Sequence, residues 1–334
     1  MNANILVQRP AVANRGRIAR QRRVVDALIA YLWIAPAVII IGVFHFVPVL
    51  YATYISLFRW GLVQGRFMGL ENYERVLSDS EFWNALLITI YYVIGTIPLS
   101  LTIGFLVAYL LFQKIAFRGF YRTAFFLPYV TSTVAAAMVF GWLFHGQYGV
   151  ANYLLGFLGI SKQTWLLDST PTAKLIASYF GLGQLLPEAF YGPSLAMTVV
   201  ILFAVWHALG FDVIVFMAGL SNIPVEVEEA ARLDGAGRWQ LLRFVTLPLL
   251  SPTLLFLLVT STIRSFQAFN QIYIMTNGGP LNSTRTLVML IFQNFYQRTD
   301  RVGYATAIAM ILFLIILTIT VVQLRVGDRR AHYG

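Results

Sequence analysis

Residues Glu229 to Pro248 read EAARLDGAGRWQLLRFVTLP, a run that lies between two apolar blocks and still carries charge at short intervals. Just ahead of it, Ser221, Asn222 and Pro224 offer N-cap and first-turn chemistry. Glu226, Glu228 and Glu229 then place negative charge at the positive end of a helix expected from about Pro224. Asp234-Gly235 and Gly237 predict a turn, because glycine tolerates positive φ and the aspartate is suited to capping the next helix. That second helix is expected from about Arg238 through Leu241, Leu242, Phe244 and Val245, until Pro248 and Pro252 open the next apolar block. The stretch therefore reads as helix, glycine turn, helix. Ala230 and Ala231 give it a small surface that another protein can approach closely, which is the shape of a docking element.

The rest of the chain is organised to hold that element in a bilayer. Of 334 residues 58% are hydrophobic and 11% charged, with a mean hydropathy of +0.72, values that exclude an ordinary soluble domain. Six blocks approach or exceed the roughly 20 apolar residues needed to cross a membrane. They are Leu28–Phe58, Phe82–Phe112, Tyr121–Phe144, Leu195–Leu220, Thr253–Ile274 and Tyr304–Leu324. The expected fold is all-α and polytopic, with six transmembrane helices. Its parts are a basic cytoplasmic tail (1–27), a first transmembrane helix (28–58), a five-helix core (82–324) containing the loop 221–252, and a C-terminal tail (325–334). The connection His145–Ser194 holds two half-apolar pieces, Tyr148–Ile160 and Thr172–Leu186, suited to the membrane interface or to an external cap.

Charge sets the orientation. Arg9, Arg15, Arg17, Arg20, Arg22 and Arg23 precede the first span, and the region behind them is too long and lacks the small-residue site of a cleaved signal peptide, so a retained anchor is expected. Six arginines beside a span fix topology or touch anionic lipid, and no nucleic acid is expected. With the N-terminus inside, cytoplasmic segments hold fifteen Lys and Arg against eight on the other side. Both termini and Glu229–Pro248 are therefore expected in the cytoplasm, the chain being a multi-pass protein of the inner membrane.

Polar residues within spans are costly in lipid and hence informative. On the fifth span Thr260, Arg264, Gln267, Asn270 and Gln271 fall, as an ideal helix, within about 120° on one face. One reading is the wall of a solute pathway, an Arg fork and three amides facing a hydroxyl-rich or anionic ligand. The other is interhelical packing, with Arg264 paired to a neighbour such as Asp212. His207 on the fourth span stands between the same two readings. Pro98 and Pro128, with Thr96, Ser100 and Thr131 to Thr133 nearby, suggest kinked helices.

The sequence also excludes chemistry. With no cysteine there is no disulfide, thiolate zinc site or iron–sulfur cluster. None of Lys114, Lys162 and Lys174 sits in a phosphate-binding loop, and HExxH and GxSxG are absent. The chain is not expected to be an enzyme or to hold a cofactor or metal; a partner or an ion gradient must supply any energy.

Glu229-Ala230-Ala231, followed by Gly235, Val245 and Leu247-Pro248, resembles the EAA signature of membrane subunits of binding-protein-dependent ABC importers, with Val245 where isoleucine is usual. Phe125-Phe126-Leu127-Pro128, Leu233-Asp234-Gly235-Ala236, Ser265-Phe266-Gln267 and Gly278-Gly279-Pro280 are similar to the sugar-type branch, relatives of the maltose and glycerol-3-phosphate permeases. The resemblance implies the type I importer permease (MetI-like) fold. It also implies that Glu229, Ala230, Ala231, Asp234, Gly235, Leu247 and Pro248 dock a cytoplasmic ATPase, whose two copies hold ATP and Mg. A second, homologous permease, making a heterodimer, and an extracytoplasmic solute-binding protein complete the implied assembly. Asn277, Gly278, Gly279 and Pro280 become candidates for contact with that binding protein, while Arg264, Gln267, Asn270, Gln271 and His207 become candidates for the solute pathway. The expected cargo is a sugar or oligosaccharide; glycerol-3-phosphate or a glycerophosphodiester is the alternative within transport. An ion-coupled carrier would place a carboxylate or a broken helix at mid-membrane, for which Asp212 alone is thin support, and a polytopic lipid enzyme would need a nucleophile, metal or acid–base cluster, none of which is visible.

Overall fold

The computed structural model describes residues 13–113, 115–181, 191–298 and 300–328, so Arg9 and the end of the C-terminal tail lie outside the described residues, as do 182–186 of the second half-apolar piece. The chain divides into two units, 1–55 and 56–334. In the first, α1 (Ala13–Ile41) passes through a wide π turn at Gly42–Phe46 into α2 (Val47–Ser56) without leaving helical geometry. Val25–Ser56 is long and apolar enough to span a bilayer, and Leu32, Trp33, Phe44 and Leu50 are exposed along it. Such side chains are at home only in hydrocarbon.

The second unit opens with an antiparallel hairpin, β1 (Phe58–Trp60) and β2 (Gln64–Phe67), in which Phe58 pairs with Phe67 and Trp60 with Gln64. The amphipathic α3 (Glu71–Ser78) leads into α4 (Ser80–Phe112), which Asp79 caps by accepting from the Glu81 amide at 2.8 Å. The helix continues through Pro98.

The third apolar block is not one straight span. α5 (Arg118–Val130) and α6 (Thr133–Leu143) meet at 98°, with Thr131 extended between them. Pro128 cannot donate to the helix ladder, and Thr131 turns its hydroxyl back to the Leu127 carbonyl at 2.8 Å. Both half-apolar pieces of the connection 145–194 hold short helices: α7 (Val150–Phe157) and α8 (Thr172–Tyr179) have eight residues each, too few to cross. Buried Asn152 organises the lobe between them. Its amide donates to the Gly146 and Gln163 carbonyls at 2.7 and 2.9 Å, and its oxygen accepts from the Gln163 amide and the Trp165 indole at 3.0 and 2.8 Å.

α9 (Leu195–Ser221) is the most enclosed helix of the bundle and packs along α4. Ile97, Leu101, Ala108, Val213, Phe216 and Leu220 form their seam, with Phe105 edge-on to Phe216 at 5.6 Å. Gly104 permits the approach: a Cβ there would lie 2.9 Å from the Asp212 Cβ. Close backbone packing at small residues is the means by which helices associate where lipid removes the hydrophobic drive.

The charged stretch then folds as α10 (Val225–Leu233), α11 (Arg238–Leu241), a π turn over Leu242–Thr246 and α12 (Leu247–Leu249). Two caps differ from expectation. Ser221 and Asn222 end α9 instead of starting α10, the Ser221 hydroxyl donating to the Met217 carbonyl at 2.8 Å. At α11 the Gly237 amide donates to the Gln240 side chain at 2.8 Å, so the cap comes from behind and not from Asp234.

α13 (Ser251–Phe266) leaves this segment at a 64° bend. At about 1.5 Å per residue, its 16 residues fall short of a bilayer's roughly 30 Å. The fifth block is therefore not a continuous helix: the chain breaks over 267–269 and resumes as α14 (Asn270–Met275). α15 (Leu287–Phe292), a π turn over Gln293–Gln297 and α16 (Val302–Asp328) close the bundle. Among the described residues four helices are long and apolar enough to span, and the number rises to six when each bent pair is counted as one span. A second core gathers Val76, Phe82, Leu287, Leu290, Tyr304 and Ile308, where the Tyr304 hydroxyl donates to Asp79 at 2.5 Å.

Candidate functional site

A cavity of about 390 Å³ opens inside the second unit between α4, α6, α9 and the broken fifth span. Arg264, Gln267, Asn270, Gln271 and His207 all line it; Thr260, the first member of the supposed helical stripe, does not. The stripe drawn on an ideal helix is thus corrected. Buried Ala268 and Ile272 pack against Tyr92, Met197, Val200 and Ile201, while Phe269 lies 4.9 Å from Phe292 and 5.3 Å from Tyr273. These anchors break the helix and turn Gln267 and Asn270 into the opening.

The facing wall is α4. Tyr92, Thr96 and Ser100, one helical turn apart, line the cavity beside Ser261, Ser265 and Thr133. Gln271 donates its amide to the buried Tyr92 hydroxyl at 2.7 Å, which fixes the orientation of both. His207 Nε2 stands 3.4 Å from the Thr131 carbonyl and 3.4 Å from the Thr133 hydroxyl, tying α9 to the break between α5 and α6. Arg264 reaches Ser261 at 3.2 Å and Asp212 at 3.5 Å, and its guanidinium lies 4.7 Å from the centre of the Phe211 ring. Its side chain is 40% exposed, whereas that of Asp212 is 0% exposed. The charge of the cavity's arginine is thus balanced from below, leaving a lining of hydroxyls, amides and aromatic rings. Sequence reasoning missed Tyr92 and Ser261; the i, i+4, i+8 repeat of Tyr92, Thr96 and Ser100 was the signal for the first.

At the opposite end of α13, the docking candidates are displayed outward. Glu229 and Ala230 are exposed on α10, and Gly235 turns the chain at φ +86° with open space about its Cβ position. Arg232 pairs with Glu228 at 2.7 Å, and among the described residues Glu229 makes no ion pair. Ala231, Asp234, Gly235, Ala236, Gln240, Phe244 and Val245 surround a groove of about 330 Å³. Leu233, Trp239 and Phe244 stand exposed around it, an apolar display that marks an interaction surface. Leu247 is exposed and Pro248 half-buried on α12.

The Asn277–Asn282 turn is also sharper than the sequence suggested. Gly278 is buried, and a Cβ there would meet Met289 and Arg285 at 3.4 and 3.5 Å. The exposed tip is Asn277, Leu281 and Asn282, all at positive φ, with Leu281 88% exposed. Beneath them the Thr284 hydroxyl donates to the Gly279 carbonyl at 2.7 Å.

Residues 61–332 match the family of binding-protein-dependent transport system inner membrane components. The chain belongs to that family. The permease is 32% identical over 307 residues to the trehalose/maltose transport system permease protein MalF of Thermococcus litoralis, covering 91% of this chain and 95% of that one. It is 32% identical over 304 residues to the sulfoquinovosyl glycerol transport system permease protein SmoG of Agrobacterium fabrum, covering 90% and 91%. Among solved structures, a bacterial ABC transporter involved in import of the acidic polysaccharide alginate superposes with a TM-score of 0.71 at 20% identity, over 94% of this chain and 100% of that chain. The all-α importer-permease fold read from the sequence is thus the fold of the molecule, and the permease is a multi-pass inner-membrane transport component.

Proposed function

We propose that this permease forms one half of an ATP-driven pathway that imports a neutral, hydroxyl-rich solute, a sugar or oligosaccharide. The observation that carries the reading is the mid-bundle cavity: at about 390 Å³ it falls in the ~300–1,000 Å³ range of small-molecule sites, and hydroxyls and amides dominate its polar lining. Arg264 is the lining cation, and the buried Asp212 already balances it, which favours a neutral solute over an anion.

In this reading both termini face the cytoplasm, where a pair of ATPases holding ATP and Mg grips the Glu229–Pro248 segment. Glu229 pairs with a basic group of the ATPase, Ala230 and Ala231 allow close approach, and Gly235 makes the bend. A second permease of the same fold faces the cavity, and a solute-binding protein delivers the cargo at the Asn277–Asn282 turn. ATP binding and hydrolysis rock the two bundles, so the cavity opens to each side in turn.

The test is ATP hydrolysis and uptake by the complete complex in proteoliposomes, with its binding protein loaded with a neutral disaccharide or with glycerol phosphate. Stimulation by the disaccharide and not by glycerol phosphate is expected. The reverse result moves the cargo to the anionic class, and stimulation by neither removes the substrate reading.

A further inference from the structure

Three arginines from three separate elements line one small pocket in the second unit. Arg59 is in β1, Arg75 is in α3, and Arg301 immediately precedes α16; the pocket, which Asp300 also lines, has a volume of about 70 Å³. The backbone that carries them is fixed. Buried Asn72 donates its amide to the Ser56 and Phe58 carbonyls at 2.8 and 2.9 Å, which ties α3 to β1. A side chain at Gly303 would collide with the Phe58 carbonyl, so β1 sits directly on the first turn of α16. Arg75 lies over the Tyr304 ring at 5.6 Å, and a guanidinium stacked in this way keeps its N–H edge free for an oxyanion.

The charge in the pocket is not balanced from within. Three guanidinium groups meet one carboxylate, and among the described residues none of the three makes an ion pair. The neighbouring acids are engaged elsewhere: Glu71 pairs with Arg66 at 3.6 Å, Glu81 pairs with Arg285 at 3.5 Å, and Asp79 accepts from the Tyr304 hydroxyl and the Glu81 amide. Glu74, beside Arg75 on α3, is exposed and does not line the pocket. Like charges gathered in this way are stabilised by an anion between them. The volume is far below the ~300–1,000 Å³ of sites that enclose a whole small molecule, so the pocket takes one charged group.

Depth selects the anion. The apolar stretch of α16 begins at Val302, one residue after Arg301, and that of α4 begins at Ser80; the bond from Tyr304 to Asp79 sets the two starts at one level. The 26 residues Val302–Gly327 rise about 39 Å at ~1.5 Å each, close to the ~40–45 Å of a bilayer with its headgroups. Arg301 therefore lies at headgroup depth, and Trp60 and Tyr304, which line the pocket with it, are the residue types that concentrate there. We propose that Arg59, Arg75 and Arg301 form a binding site for a phosphate group, which a phospholipid headgroup at this depth or free phosphate from the aqueous side can supply. Arginine suits the task because its planar fork meets phosphate oxygens in pairs. The assignment goes beyond the transport reading and does not depend on which solute is carried.

The test uses the complete complex, stripped of lipid in maltoside micelles and titrated with phosphatidylglycerol, with bound lipid counted by native mass spectrometry. Arg59→Gln and Arg301→Gln are each expected to weaken the tightest binding step about tenfold, the worth of one charge-assisted contact. Arg301→Lys, which keeps the charge and loses the fork, is expected to fall between Arg301→Gln and wild type. Arg66→Gln removes a cation of the same hairpin that does not line the pocket and is expected to bind as wild type. Diglucosyl diacylglycerol, a lipid without phosphate, is expected to leave the site empty. Excess inorganic phosphate separates the two sources: lipid that stays bound assigns the site to the headgroup, and lipid displaced from wild type assigns it to free phosphate. Wild-type affinity in assembled Arg59→Gln and Arg301→Gln complexes, equal weakening by Arg66→Gln, or equal binding of the phosphate-free lipid would each overturn the site. So would unchanged lipid affinity with loss of ATP hydrolysis stimulated by the binding protein, which would make the pocket a protein contact. A complex that carries no sugar yet binds lipid as expected removes the substrate reading and leaves the phosphate site standing.

Discussion

Arg264 and Asp212 form one ion pair, yet removing either partner is expected to have unequal consequences. Asp212 is 0% exposed, while the Arg264 side chain is 40% exposed to the cavity. Arg264→Ala strands a buried carboxylate, a change that costs about 3–5 kcal/mol when no compensation is at hand. Asp212→Asn leaves an arginine that water in the cavity can still hydrate, so the loss falls toward the ~1 kcal/mol typical of half-exposed pairs. The double variant removes the stranded charge altogether and is expected to recover most of the Arg264→Ala loss. Reversible unfolding of the purified permease in mixed micelles, followed through tryptophan fluorescence, measures all three. Equal losses for the two single variants, or a double variant as unstable as Arg264→Ala, would refute the view that burial of Asp212 decides the energetics.

Gly235→Ala introduces no clash, since nothing lies within 4 Å of the added methyl, but φ +86° costs about 1–2 kcal/mol for any residue with a Cβ. We expect weaker co-purification of the ATPase with unchanged stability of the bundle. Gly104→Leu drives side-chain atoms into a site where the first carbon already lies 2.9 Å from Asp212 Cβ, and about 1–3 kcal/mol of bundle stability is expected to be lost in the same unfolding assay. Asn152→Ala removes four hydrogen bonds from the lobe between α7 and α8, and limited proteolysis is expected to cut first between Gly146 and Gln163 while the spans remain protected. Tyr92→Phe takes away the acceptor for Gln271 and is expected to raise the half-saturation constant for solute by a few-fold, about what one neutral hydrogen bond is worth, with assembly intact.

The spans were legible because hydropathy over some twenty residues overrides local detail. The helix, glycine turn, helix reading of Glu229–Pro248 was legible because Gly235 and the two prolines leave the backbone few choices. Capping was harder: Ser221 was visible as a cap but bonds backward to Met217, since α9 runs further than its apolar block suggests. The bend at Thr131 had a local signal in Pro128, whereas the break after Phe266 had none. Ser265 to Asn270 contains neither glycine nor proline, and what breaks it is burial of Ala268 and Ile272 and the stacking of Phe269, all contacts to distant parts of the chain. The cavity-lining residues Arg264, Gln267, Asn270, Gln271 and His207 were found because intramembrane polar side chains are rare enough to stand out.

The break in the fifth span also bears on how such a protein can acquire a new cargo. Gln267 and Asn270 point into the cavity, whereas Phe266, Ala268 and Ile272, interleaved with them, are buried and hold the backbone in place. Over seven consecutive positions, lining the cavity and anchoring the backbone fall to different side chains. Replacing Gln267 or Asn270 therefore alters what the cavity presents without disturbing the anchors. A library confined to these two codons is a compact place to search for altered solute preference, because few of its members are lost to misfolding.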